Sequence, residues 1–275
     1  MSWALYLPYR VGQLHFLTVA AMAMCGYGAA YLVTALHVPF ALALIAGFAA
    51  GGVLGFVVSL FIADAPMFAV VIVGFAFIYI FRTVVQNIPA LGGTLGMFGL
   101  PDIGGSPEAH RRIILGILAV MVVVAAFFIN RFDHSGLGRA ASATFADRKL
   151  APALGVNVKA LGMILQSGSC ALAGGCGVLY TFIYKSIGLD FFGFPLIGTL
   201  MTILFVGGYA TPWGVVISAP VLYGVPLLLP SAVASWRIVI YGGLLIVVLL
   251  ARPEGLVTPR LVRYIEGSFF RSRRS

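Results

Sequence analysis

The sequence predicts an all-α fold, a polytopic membrane helix bundle of about eight transmembrane helices. Three observations predict it. Of 275 residues, 61% are hydrophobic and only 9% are charged, against about 25% charged in soluble domains. The apolar residues gather into runs close to the roughly 20 residues that cross a hydrocarbon core of about 30 Å. The eight acidic residues all fall between those runs or at their ends, as the expense of burying charge in lipid requires.

The spans are expected at 11–34, 39–63, 66–86, 113–130, 160–184, 194–209, 213–230 and 232–251. The segment ahead of the first, MSWALYLPYR, carries its one charge at Arg10, directly before the apolar run. A cleaved signal places charge first and then a short apolar core, so the first run is expected to be retained. The second span carries Gly47, Gly51 and Gly55 in a GxxxGxxxG pattern on one helix face. Lipid gives helices no hydrophobic reason to associate, so small residues that admit a close backbone count for more. The pattern fits a helix contact within the chain or with a partner; glycine enrichment common to membrane helices also accounts for it. The fifth span holds a small-residue cluster, Gly175–Tyr180, that weakly echoes Gly26–Tyr31. The sixth is short and ends in GGYATPWG, residues 207–214, which reads as a tight turn. The eighth holds Arg237 one turn inside its start, where a long stem snorkels to the interface beside Trp236.

Two polar loops, 87–112 and 131–159, interrupt the spans. With 131–159 and the C-terminus in the cytoplasm, eight spans put the N-terminus there too. The inner side then carries twelve Lys and Arg residues and the outer side five, the bias of a positive-inside topology. Residues 1–275 thus read as a single transmembrane domain with a cytoplasmic loop at 131–159 and a basic cytoplasmic tail at 252–275. The net charge of +9 is assigned to this topology and to anionic lipid rather than to nucleic acid.

Catalytic signatures are missing. The sequence has no GxxxxGK[ST], HExxH or GxSxG. Cys25, Cys170 and Cys176 lie in apolar stretches without a CxxC pair and read as small packing residues. The histidines, His15, His37, His110 and His134, are scattered. A membrane-embedded enzyme is therefore disfavoured, and no cofactor or metal is expected. Without an ionisable group in mid-span there is no proton relay, so a driving force would come from another chain. Sodium coupling through backbone carbonyls stays open. Gln13 and His15 are the clearly polar side chains early in the first span, and His15 reads as a hydrogen-bonded structural residue.

In the 131–159 loop, residues 139–151 are mostly helix formers, and Pro152 is expected to end that helix near Ala151. A short amphipathic helix at this face suits either docking of a partner subunit or an interfacial position on lipid headgroups.

GRAASATFADRKLAPALGVNV, followed by an apolar span with AGGCGVLY, resembles the coupling region of branched-chain amino acid ABC transporter permeases of the LivH/LivM type. VGQLHFLTVAAMAMCGYGAAYLV resembles the early segment of that family, GGTLGMFGLP at 92–101 its external loop, and ARPEGL at 251–256 its ending. The order and spacing agree, and the LivM-like branch is favoured. The chain departs at Phe16, Leu17 and Thr18, at Ala146 where the family usually has Glu, and at Pro152. It also begins near the early segment, so the first helices of typical members are expected to be missing.

The resemblance implies a permease subunit of an ATP-driven importer in the bacterial inner membrane, carrying branched-chain or related amino acids, amides or urea. The implied partners are a second, homologous permease, two cytoplasmic ATPase subunits and a periplasmic solute-binding protein, with ATP hydrolysed on the partner chains. Arg139, Asp147, Arg148, Lys149, Leu154, Gly155 and Asn157 are then the coupling candidates. Gln13, Gly92, Gly93, Thr94 and Gly96 are candidates for the translocation path or its outer mouth, although the glycines equally suit a tight external turn. The competing readings are a transporter or channel working without an ATPase and a non-transporting structural subunit.

Overall fold

The structure, a computed structural model, describes residues 1–62, 65–208 and 211–228, with isolated helical positions at 239, 243, 246 and 250. Apart from those four positions, the expected eighth span, Arg237, Trp236, the ARPEGL stretch and the basic tail lie outside the described residues, as does Asp64. The chain divides into two compact units, Met1 with Trp3–Ile197, and Ser2 with Gly198–Ser275.

Among the described residues the fold is helical, with five helices long and apolar enough to cross a membrane and two shorter apolar ones. The chain starts with a short helix, α1 (Ser2–Tyr9), and α2 spans Leu17–Thr34. The expected first span therefore begins six residues late, because residues 11–16 are loop. Val11, Leu14 and Phe16 are buried there, and hydropathy registers their burial without registering that they are not helical. The third helix, α3, covers Phe40–Ile62 and α4 covers Met67–Asn87. Ile88 is extended ahead of Pro89, as the steric demand of a following proline requires, and this stops α4.

The next helix, α5, runs Pro107–Asp133, longer at both ends than the expected 113–130. Its start is set by capping rather than by apolarity. Ser106 accepts the Ala109 N–H, Pro107 occupies the first turn, and Glu108 stands at the positive end of the helix dipole. Then come α6 (Gly136–Ala146) and α7 (Val158–Tyr184).

The core is α2, α3 and α7. The spanning windows of α2 and α7 are 67% and 61% buried, whereas that of α5 is 17% buried, so α2 and α7 are central and α5 peripheral. Gly47, Gly51 and Gly55 all face α7. A Cβ at Gly51 would collide with the Cys170 carbonyl oxygen and lie 3.1 Å from its carbon, and one at Gly55 would lie 2.8 Å from the Gln166 carbonyl oxygen. On the other side a Cβ at Gly26 would lie 2.8 Å from Thr181 Oγ1 and 3.1 Å from the Gly177 carbonyl oxygen. Three backbones thus meet along glycine seams, and α3 runs antiparallel to α7 while α2 runs parallel to it.

A two-stranded antiparallel pair, β1 (Met97–Phe98) with β2 (Ser186–Ile187), ties the loop after α4 to the segment leaving α7. In the second unit, the 198–207 part of α8 (Phe194–Gly207) forms a hairpin with α9 (Pro212–Leu228). Ser218 Oγ donates to the Ile203 carbonyl at 2.7 Å. The turn expected at 207–214 falls between these helices, with Gly208 at φ +104°; Tyr209 and Ala210 lie outside the described residues.

Candidate functional site

The loops of the first unit sort to two ends of the bundle, one carrying α6 and the loop 10–16, the other carrying 87–106 and 185–193. At the α6 end, Ser135 caps α6 by accepting the Gly138 N–H at 3.3 Å and itself donates to the Phe132 carbonyl at 2.6 Å. Gly138 lets α6 lie directly on the end of α5, since a Cβ there would be 2.6 Å from the Asp133 carbonyl oxygen. Gly138, Ala141 and Thr144 are buried at helical spacing, and Arg139, Ser142 and Phe145 on the other faces are exposed.

The helix ends at Ala146, not near Ala151. Asp147 is extended and its Oδ1 accepts the N–H groups of Lys149 and Leu150 at 2.8 and 3.1 Å. A side chain that satisfies the backbone of a turn competes with helix continuation, so the stop precedes Pro152. That proline sits instead at the start of a 3-10 turn over Ala151–Leu154, closed by Gly155 at φ +79°. Asn157 Oδ1 then accepts the Ala160 N–H at 3.0 Å and starts α7. Of the coupling candidates, Arg139, Asp147, Lys149, Leu154, Gly155 and Asn157 are exposed and Arg148 is half-buried. Leu154, 75% exposed, presents an apolar knob on this turn.

Sequence reasoning missed the node beneath α6. Tyr6 donates its hydroxyl to Asp133 Oδ2 at 2.7 Å. Arg10 Nε lies 3.4 Å from Asp133 Oδ1, with side chains only 18% and 12% exposed. Arg10 also donates to Ser142 Oγ at 3.0 Å, and Tyr9 meets Phe145 with ring centroids 5.7 Å apart. One arginine therefore joins α1, α5 and α6. Arg10 was visible only as the lone charge ahead of the first apolar run.

From Arg10 the loop rises into the bundle. Gln13 Oε1 accepts from Gln166 Nε2 of α7 at 3.0 Å, fully buried. Ser169 donates to the Ala4 carbonyl, and Thr18 Oγ1 donates to the His15 carbonyl at 3.2 Å. His15 is wholly buried, and neither ring nitrogen has a hydrogen-bond partner; Gln166 Oε1 has none either. The reading of His15 as a hydrogen-bonded structural residue therefore does not hold for its ring.

At the opposite end, Gly92, Gly93 and Gly96 have φ of +82°, +57° and +89°, conformations that L side chains rarely adopt. A Cβ at Gly96 would lie 3.0 Å from Gly188 Cα, against the strand pair, and Thr94 is exposed. Turn geometry alone accounts for these glycines. Gly96 sits beside Ile187, past the end of α7, whereas Gln13 sits beside Gln166 near its start; helical rise separates the two by about 30 Å. The structure groups Gly92, Gly93, Thr94 and Gly96 in one loop and places Gln13 apart from them.

That end is pinned by side chains. His110 Nδ1 accepts the Ile103 N–H at 2.9 Å and Nε2 lies 3.0 Å from the Phe182 carbonyl, which fixes the Nε2–H tautomer. Asp102 pairs with Lys185, and Arg82 with Asp190 at 2.9 Å. Among the described residues no group of three or more His, Cys, Asp or Glu could hold a metal ion. Cys25 and Cys170 are buried and Cys176 half-buried, all as free thiols.

Comparison with known proteins gives two kinds of match. The family described as "Branched-chain amino acid transport system / permease component" matches residues 1–249. The high-affinity branched-chain amino acid transport system permease protein LivM of Escherichia coli (strain K12) is 27% identical over 150 residues. LivM of Salmonella typhimurium (strain LT2) is 28% identical over 150 residues. In both cases the matched stretch covers 54% of this chain and 35% of the relative. No solved structure matches.

Proposed function

Because this chain belongs to the permease component family of branched-chain amino acid transport systems, we propose that it is the membrane subunit of an ATP-driven importer for amino acids. The reading places it in the bacterial inner membrane with the α6 end in the cytoplasm. A second permease completes the path, two ATPase subunits dock on the α6 end, and a periplasmic solute-binding protein delivers solute to the opposite end. Branched-chain amino acids are the first substrates to test, because LivM carries them in its name.

One observation carries the proposal: the stretch 136–157 is rigidly built yet turns its distinctive side chains outward. Capped helix, Asx turn, 3-10 turn and glycine closure fix its shape. Arg139, Lys149 and Leu154 stand exposed on that shape. An exposed leucine held on a stiff turn suits a protein surface better than water. Beneath it, Arg10 and Phe145 connect α6 to the loop that carries Gln13, so a push on α6 reaches the bundle interior.

The test is co-purification of the ATPase subunits with the native chain and with the variants Asp147→Lys and Asp147→Asn. Asp147→Lys removes both the turn acceptor and the charge, and retained ATPase is expected to fall at least tenfold. Asp147→Asn keeps an Oδ1 acceptor and is expected to retain more than Asp147→Lys. Undiminished association of Asp147→Lys would overturn the docking assignment.

A further inference from the structure

We infer that Gln13, His15 and Gln166 form a buried binding site for the zwitterionic head group of an α-amino acid. The inference rests on the transport reading above and adds to it where in the bundle solute is held and by which atoms.

The three side chains are 2%, 0% and 1% exposed. Gln13 and Gln166 are bonded to each other, and His15 follows Gln13 by two residues in the same loop. Three polar atoms remain without a partner: both nitrogens of the His15 ring and Gln166 Oε1. Burying such groups without partners is unfavourable. Bundles that could have used leucine at these positions keep polar side chains at depth for a function. Gln166 lies eight residues into α7, about 12 Å along a helix of about 40 Å, inside the apolar layer rather than at its edge.

The unmatched atoms select a ligand. A neutral imidazole offers one N–H donor and one lone-pair acceptor, and an amide oxygen adds a second acceptor. One donor and two acceptors match a zwitterion, whose carboxylate accepts from the imidazole N–H and whose ammonium donates to the two acceptors. A bare monovalent cation fits less well, because the imidazole N–H opposes it and only one of the unmatched atoms is an oxygen. The loop 10–16 breaks the helical path ahead of α2, which begins at Leu17.

The site is closed, since all three side chains are buried. Its access is tied to α6. Arg10, three residues before Gln13, donates to Ser142, and Tyr9 packs on Phe145. Displacing α6 pulls on the loop that carries two of the three binding side chains.

The experiment is equilibrium binding to the full chain in lipid nanodiscs, with no other subunit present. Tritiated L-leucine, L-phenylalanine and glycine share only the head group; urea and leucinol, which lacks the carboxylate, serve as competitors. All three zwitterions are expected to bind and urea not to compete. His15→Phe and Gln166→Leu are each expected to weaken L-leucine binding at least tenfold. His15→Phe is further expected to shrink the preference for L-leucine over leucinol, a change that a merely structural histidine would not produce. Melting curves report folding, and if Gln166→Leu does not fold, Gln166→Asn is judged by the same tenfold criterion. Wild-type affinity in both variants, equal competition by urea, or no zwitterion bound by the wild-type chain each overturns the site. Loss of ATPase association instead bears on the docking assignment and leaves this measurement unaffected.

Discussion

Asp133 ends α5 with a carboxylate at the negative end of the helix dipole, where acids are disfavoured. Its tolerance there is explained by Tyr6 and Arg10. The Tyr6 hydroxyl bonds one oxygen at 2.7 Å, and the Arg10 guanidinium stands 3.4 Å from the other. The second contact is an ion pair without hydrogen-bond geometry, since neither Arg10 Nε nor Asp133 Oδ1 has a hydrogen-bond partner. Burial nonetheless makes the pair matter, because removing one member of a buried pair leaves a charge with no compensation, at about 3–5 kcal/mol. Arg10→Met, which keeps most of the stem volume, is expected to destabilise the purified chain by about 3 kcal/mol, the low end of that range. Adding Asp133→Asn should recover at least half of the loss, because the orphaned charge is then gone. Thermal melting in detergent measures both; a double variant no more stable than Arg10→Met would show that the arginine acts through packing on Tyr6, whose ring it overlies at 5.9 Å.

At the scale of the elements, the seam between α3 and α7 separates two glycines that are neighbours in sequence. Gly51 faces the Cys170 carbonyl at a distance no Cβ can share, whereas a Cβ at Gly52 would rest 3.4 Å from Ala171 Cβ. Gly51→Ala should therefore overpack the seam and destabilise by about 1–3 kcal/mol. Gly52→Ala should be neutral or stabilising by up to about 1 kcal/mol, through lower backbone entropy in the unfolded chain and better helix propensity. A lower melting temperature for Gly51→Ala and an unchanged or higher one for Gly52→Ala are expected, and equal losses in both would show that the helices are not in this register. The glycine spacing was legible in the sequence because a four-residue period is local. So were α3, α4 and α9, where a long apolar run and a helix coincide. The misplaced boundaries have a common physical origin. Hydropathy reports which residues avoid water, so it carried the first span through the buried loop 11–16 and began α5 at the first apolar run instead of at its Ser106 cap. It also passed over α1, an eight-residue helix with Pro8 inside it. Asp147 was singled out for its charge, while its local role is to accept two backbone N–H groups. Gln13 was found because it interrupts an apolar segment, but its partner Gln166 is 153 residues away, and no local pattern encodes such a pairing.

At the scale of the whole molecule, the first unit has two chemically different ends. One exposes Arg131, Arg139, Lys149 and Lys159 on and around α6. The other pairs Arg82 with Asp190 and Lys185 with Asp102, exposes Arg111 and Arg112, and fixes its loops with glycine turns and a short strand pair. Lys and Arg resist translocation during insertion, so the more basic end is expected on the cytoplasmic side. Paired charges and stiff turns suit the side that meets solute from outside. The orientation can be read with single cysteines, because Cys25 and Cys170 are buried and Cys176 is half-buried, which keeps the background low. Thr94→Cys and Lys149→Cys both replace exposed side chains that take no part in the helix seams. In intact spheroplasts, a membrane-impermeant maleimide is expected to label Thr94→Cys and to spare Lys149→Cys, and disrupting the membrane should expose both. The reverse pattern would put α6 outside the cell, out of reach of any cytoplasmic ATPase, and would overturn the energy-coupling assignment. The zwitterion site makes no reference to which end faces in, so it would survive that result as a binding site in a transporter driven some other way.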